Sequence, residues 1–276
     1  MSCLLHMSDP HFGTERPEVM RALAALVQEE RPGALVLSGD ITQRATRAQF
    51  ARARAFVDSL AVPRMLAIPG NHDIPLFALS ARVLSPYARY RQAFGDELEP
   101  VVDSADFLIV GVNTTRWYRH ENGAASAQQA ERAARRLARG TARQLRVVVV
   151  HQPVAVTREE DRKHLLIGRE QAVRIWAEAG ADLVLGGHIH LPFVLPLHES
   201  ANGLARRMWC VQAGTAVSTR LRAGAPNSVN LVRFEGEPGE RRCTVEQWDC
   251  GAGGARFRRA RVHTLALGIN TEATAR

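Results

Sequence analysis

Five short polar runs, each directly behind an apolar segment, constrain this chain more than any other feature. They are Ser8-Asp9-Pro10-His11, Gly39-Asp40, Gly70-Asn71-His72-Asp73, His151-Gln152-Pro153 and Gly186-Gly187-His188-Ile189-His190. Short apolar runs bounded by turn residues read as buried strands. Residues 3–8, 34–37 and 63–68 fit that pattern. Between them, residues 17–31 and 46–60 carry amphipathic helical spacing, with Pro17 suited to a first helical turn and Pro32-Gly33 to a stop. The result is β-α-β-α-β with polar side chains at the carboxyl end of each strand, the edge where ligands sit in α/β sheets.

Residues 74–100 break this rhythm and read as a helical excursion over the site edge. Residues 101–102 and 107–112 are expected to pair as strands around a turn near Ser104. Residues 113–123 form a polar and aromatic loop with Arg116, Trp117, Tyr118, Arg119 and His120. A helix follows over 126–139, with Ser126 as N-cap and Gly140 as its stop. Residues 145–150 and 182–185 are further buried strands. A polar linker (154–166) and a helix (169–179) lie between them. Beyond His190 the pattern predicts antiparallel strands over 193–197, 207–212, 228–234 and 241–248, and a last one over 257–263. The organisation expected is one domain over 1–265 and a frayed tail over 266–276.

The formal net charge is +8, carried almost wholly by arginine, since Lys163 is the single lysine. Such a surface concentrates anions, phosphate esters and nucleic acid among them. The arginines are scattered rather than blocked, which fits a solvated surface equally well. The four cysteines, Cys3, Cys210, Cys243 and Cys250, form no Cys-x-x-Cys pair, and their sparse use suits a reducing compartment. The first apolar run meets His6 and Asp9 too early for a signal-peptide core, and no run is long enough to span a bilayer. A cytoplasmic protein with no membrane partner is the expectation. Nothing in the sequence separates a monomer from a homodimer.

The polar runs supply metal ligands. Asp9, Asp40 and Asn71 offer oxygen; His11, His151, His188 and His190 offer nitrogen. Residues i and i+2 of extended chain point the same way, so Asp9 with His11, and His188 with His190, are each expected to face one ion. This set exceeds what one ion needs, and Asp40 suits a bridging role. Two ions ~3.5–4 Å apart can hold a phosphate between them. Nitrogen and oxygen ligands without thiolate suit manganese, iron (Fe2+ or Fe3+) or zinc.

In this order the blocks Asp-x-His, Gly-Asp, Gly-Asn-His-Asp, His and Gly-His-x-His resemble the calcineurin-like metallophosphoesterase superfamily, over residues 3–195. The resemblance implies an α/β fold, a four-layer αββα sandwich of mixed sheets flanked by helices. It implies a first metal on Asp9, His11, Asp40 and His190, and a second on Asp40, Asn71, His151 and His188. Hydrolysis would run by attack of a metal-activated hydroxide on phosphorus. His72 would contact the phosphate or protonate the leaving oxygen, and Asp73 would stand behind the ligands. Gln43 occupies the place of the carboxylate that orients this histidine in protein phosphatases, which argues against that branch. Lipid A pathway hydrolases usually carry arginine where His72 stands. The likeness is greater to bacterial class III cyclic nucleotide phosphodiesterases, through the Ser8-Asp9-Pro10-His11 start, the Asn122-Gly123 loop, and Ala213-Gly214-Thr215 near Arg220 and Arg222. A small phosphodiester is the expected substrate, with Arg44, Arg116 and His120 on its side. The alternatives are a nuclease acting on DNA or RNA ends, a phosphomonoesterase, and a non-catalytic binding relative.

Overall fold

The computed structural model describes residues 1–269 apart from 201–202, 205, 223, 238–239 and 252. The chain opens with three parallel strands, β1 (Ser2–Met7), β2 (Ala34–Leu37) and β3 (Met65–Ala67), joined through α1 (Pro17–Glu30) and α2 (Arg47–Ser59). Pro17 starts α1, and Arg31 in left-handed conformation ends it, two residues before the glycine expected to do so. Thr46 caps α2 by accepting from Gln49 N. The excursion holds α3 (Leu79–Leu84) and α4 (Ala88–Phe94). Next come β4 (Val101–Asp103), β5 (Phe107–Gly111), α5 (Ala127–Leu137), β6 (Leu145–Val149), α6 (Arg169–Glu178) and β7 (Leu183–Gly186). Ser126 and Gln129 cap α5 reciprocally, which fixes its start at the expected residue.

The strands after His190 part company, unlike the antiparallel run expected. β8 (Phe193–Pro196) and β9 (Trp209–Gln212) pair with each other, and β9 lies parallel to β7 in the second sheet. β10 (Ser228–Glu237), β11 (Glu240–Cys250) and β12 (Phe257–Leu265) form an antiparallel meander that joins the first sheet beside β1. Strand patterning fixes which face is apolar but not which sheet a strand joins. The final order is β12-β11-β10-β1-β2-β3 in one sheet and β4-β5-β6-β7-β9-β8 in the other.

The pleat explains the layers. In β1, Leu4 points into a cluster shared with Val147, Val149 and Leu185 of the facing sheet, while Cys3, Leu5 and Met7 point to α1 and α2. In β6, Val147 and Val149 face the first sheet, and Val148 packs with Trp176 of α6. The central strands of each sheet are therefore buried on both faces, which accounts for their near-continuous apolar sequence, while β4 and β12 at the edges are largely exposed. Two sheets meet in the middle and helices cover both outer faces, as the resemblance implied. Of the tail expected to fray, Gly268 O accepts from Arg207 N and Ile269 bridges Arg206; residues 270–276 lie outside the described residues. Among the described residues, no helix is long and apolar enough to cross a membrane. All four cysteines are free and buried.

His6 in β1 is fully buried and held neutral between Ser38 Oγ (2.9 Å) and Asn230 Nδ2 (3.4 Å). Burial pushes its imidazole down to about 3. The unfolded chain therefore binds a proton near pH 6.5 that the folded chain refuses. The stability this contributes is full above pH 6.5 and falls by roughly 1.4 kcal/mol per pH unit toward pH 3. In urea unfolding of the metal-free protein, His6→Gln is expected to reduce the pH slope between pH 6 and 4 by about one proton; an unchanged slope contradicts it.

Candidate metal centre

Asp9 and His11 follow β1, Asp40 follows β2, Asn71 and His72 follow β3, His151 follows β6, and His188 and His190 follow β7. These strands come from both sheets, and their carboxyl ends converge at one end of the sandwich. His151 Nδ1 donates across the sheets to Ser38 O at 2.8 Å, and His188 N donates to Asp9 Oδ2 at 2.9 Å. Gly187 allows that approach, because a Cβ there would overlap Ser8 Oγ and Asp9 Oδ2. Gly39 does the same beneath the His151 ring, with a positive φ that suits glycine.

Two overlapping groups result. Asp9, His11, Asp40 and His190 bring one ligand atom each within 4.8 Å of one another, and so do Asp40, His151 and His188. Asn71 Oδ1 stands 3.1 Å from His151 Nε2, which adds it to the second group. His188 and His190 thus fall to different groups, contrary to the extended-chain argument that aimed both at one ion. The backbone at these turns is not extended. Asp9, His11, Asp40, His188 and His190 all have positive φ, between 43° and 73°; the other such non-glycine residues, Arg31, Ala45 and Ala61, flank helices α1 and α2. A left-handed residue costs on the order of 1–2 kcal/mol, and here that strain collects on the candidate ligands.

The donor set suits cations. Asp9 Oδ1 is buried without a hydrogen-bond partner, and His11 Nε2 faces His190 Nε2 at 3.1 Å. Burial alone would raise Asp9 and Asp40. The His190 and His151 imidazoles outweigh it for Asp9, as His151 and His72 do for Asp40, holding both carboxyls below their usual range. His151 is lifted to about 9 and His190 is raised, because Asp40 and Asp9 respectively overcome burial. Burial dominates at His11 and His188 and pushes each down to about 3. Two buried carboxylates beside imidazoles that hold protons this tightly form a site where cation uptake displaces protons.

Asp73 is in neither group of candidate ligands. Its carboxylate accepts from Ile41 N (3.0 Å), Thr42 N (2.8 Å), Thr42 Oγ1 (2.9 Å) and Gly70 N (2.9 Å). It therefore ties the β3 turn to the β2 turn. His72 donates from Nδ1 to the backbone oxygen of Gln43 at 3.1 Å, so a carbonyl does the orienting that the Gln43 side chain was not expected to do. Its Nε2 accepts from Arg220 Nη1 at 3.0 Å, and Arg220 also donates to Gln43 Oε1 at 3.2 Å.

A pocket opens beside His72, lined by Gln43, Arg44, Asn71, Ile74, Leu76, Arg82 and His120. Arg44 and His120 line this pocket. Arg116 does not: its guanidinium donates to Asn113 O, Thr115 O and Gln129 Oε1, and so pins its own loop to α5. Sequence reasoning did not place Arg220, Arg82 or His164 in the site. Arg220 arrives from the segment after β9, and His164 from the supposed linker. Neither follows an apolar run; Arg220 entered only through the resemblance, beside Ala213-Gly214-Thr215, and His164 not at all.

A family model described as calcineurin-like phosphoesterase matches residues 4–192. No curated protein sequence matches the chain. Among solved structures, a purple acid phosphatase from yellow lupin (Lupinus luteus) seeds superposes with a TM-score of 0.67 at 11% identity. That alignment covers 95% of this chain and 53% of the lupin protein, so the chain spans about half its length. A dimetal phosphatase from Danio rerio gives 0.66 at 13% identity, over 97% and 99% of the two chains. Vps29 of Chaetomium thermophilum gives 0.51 at 11%, over 98% and 97%. At these identities the likeness is one of fold.

Proposed function

The chain belongs to the calcineurin-like phosphoesterase family, and on that premise we propose that it is a dinuclear metal-dependent phosphodiesterase acting on small phosphodiesters, 3′,5′-cyclic nucleotides among them. The observation that carries this reading is the pair of buried aspartate and histidine groups sharing Asp40. Asp9, His11, Asp40 and His190 would hold one divalent cation, and Asp40, Asn71, His151 and His188 the other. When bound, such a pair supplies a water of lowered pKa and positive charge for the phosphoryl oxygens. Manganese, iron and zinc all suit the ligands.

The chain's own groups do the rest. His72 N donates to Asp40 Oδ1 at 2.8 Å, which holds the shared carboxylate in place. Gln43 O fixes the His72 ring with Nε2 outward, and Arg220 meets that nitrogen. Arg220, held by His72 Nε2 and Gln43 Oε1, is placed to donate to phosphoryl oxygens, with Arg44, Arg82 and His120 in the pocket beside His72 for the esterified group. Because Nδ1 gives its proton to Gln43 O and Nε2 accepts from Arg220, holding Arg220 toward the phosphate fits His72 better than leaving-group protonation. His72→Ala is expected to lower kcat/KM about 10- to 100-fold by the same factor for p-nitrophenyl and alkyl leaving groups. A loss that grows with leaving-group pKa would instead make it the general acid.

The net charge of +8 favours a nuclease as the second reading. A panel with manganese distinguishes them: cyclic mononucleotides, glycerophosphodiesters, p-nitrophenyl phosphate and oligonucleotides. Turnover of the first two classes is the expected result. Preference for oligonucleotides with steep salt dependence, or for the monoester, replaces the proposal.

A further inference from the structure

His164 belongs to none of the five polar runs. It closes the 3-10 turn Glu159–His164, and its Nδ1 lies 3.3 Å from His188 Nε2, with the rings edge to face at 5.1 Å. The other ring nitrogen of His188, Nδ1, is buried and has no hydrogen-bond partner. A neutral imidazole has one proton for its two nitrogens. Placed on Nε2, that proton donates to His164 and leaves Nδ1 as a bare lone pair for the centre. Placed on Nδ1, it would be a buried donor without an acceptor.

The turn that carries His164 is fastened to the same centre. Arg222 donates from Nη2 to the buried Asp161 Oδ1 at 2.5 Å and from Nη1 to Ile189 O at 3.0 Å. Ile189 stands between His188 and His190. One guanidinium therefore ties the His164 turn to the turn bearing two candidate ligands.

We propose that His164 is a positioning residue for the second cation site: it accepts the Nε2 proton of His188, and thereby assigns Nδ1 of His188 as the ligand atom, with the Arg222–Asp161 pair holding it there. The inference rests on the two-cation reading of the centre. His151 and His190 pass their outer N–H to the backbone oxygens of Ser38 and Arg220. The acceptor for His188 is a side chain, so substitution can remove it. Such partners of ligating imidazoles are worth about 10- to 100-fold in metal affinity.

Calorimetric titration of metal-stripped full-length protein with Mn2+ tests this. Wild type is expected to show two binding steps. His164→Ala is expected to weaken one of them about 10- to 100-fold and leave the other unchanged. His164→Asn, which puts an acceptor oxygen near the position of Nδ1, is expected to recover most of that loss. In 15N spectra of the wild-type protein loaded with diamagnetic Zn2+, the His188 proton is expected on Nε2. Both steps intact in His164→Ala overturns the inference. So does a His164→Asn variant as weak as alanine, which would mean that ring packing, not the hydrogen bond, matters. Wild type that takes up fewer than two cations overturns the two-cation reading and this inference with it.

Discussion

Asp40→Ala is expected to abolish hydrolysis of a bis-aryl phosphodiester, with a fall of at least about 10^3-fold, and to remove high-affinity uptake of both cations. Asp40 is the one residue common to both groups of candidate ligands. Its Oδ2 lies 3.8 Å from His11 Nε2 and its Oδ1 3.3 Å from His151 Nε2. The same carboxylate accepts the His72 backbone N–H, so its loss also frees the turn that orients His72. His188→Ala removes a ligand from one group alone, and is expected to leave one cation bound while activity is lost. Metal content and turnover are measured on the same purified samples, with circular dichroism as the check on folding. Wild-type activity in Asp40→Ala protein would reject the metal assignment.

Asp182→Ala is expected to cost about 3–5 kcal/mol of stability, because it leaves two guanidiniums without their counter-charge. Asp182 is fully buried at the amino end of β7, the end of the sandwich away from the metal centre. Its Oδ1 accepts from Arg206 Nη2 (2.7 Å) and Arg241 Nη1 (3.0 Å), and its Oδ2 from Arg241 Nη2 (2.6 Å) and Arg146 N (3.0 Å). Arg241 lies in β11 of the first sheet and Arg146 in β6 of the second, so one carboxylate joins the two sheets. Thermal unfolding is expected to drop by roughly 10 °C, taking about 2–4 °C per kcal/mol at this chain size. Asp182→Asn, which keeps an acceptor, is expected to lose less. A shift under about 2 °C for alanine would mean that the arginines find other partners or water.

The elements that local chemistry specifies were legible at residue resolution. Pro17 starts a helix because its missing N–H is no loss there, and Ser126 caps one because its hydroxyl meets Gln129 N. β2 was plain because a strand buried on both faces reads as an unbroken apolar run, and β6 because four valines follow Arg146. The ligand types could be read for a related reason: a carboxylate or imidazole behind such a run has to lie at a strand end. The parallel pairing of β9 with β7 and the transfer of β10–β12 to the other sheet were not legible. Pairing partners are chosen by contacts distant in sequence. Arg116 shows that a guanidinium in a loop serves carbonyls of its own loop as readily as a ligand.

The chain by itself determined that Asp9, His11, Asp40, Asn71, His151, His188 and His190 would meet at one edge, since a buried strand can expose polar side chains only at its ends. Only the tertiary structure decided how they divide. Asp9 and His11 stay in one group while His188 and His190 divide between the two, on backbone that is left-handed at all four, where an extended chain would have aimed each pair together. Only the tertiary structure supplied Arg220 to His72 and His164 to His188. Those contacts span 148 and 24 residues of chain, and nothing in a local residue pattern encodes which loop will lie against a strand end once two sheets have packed.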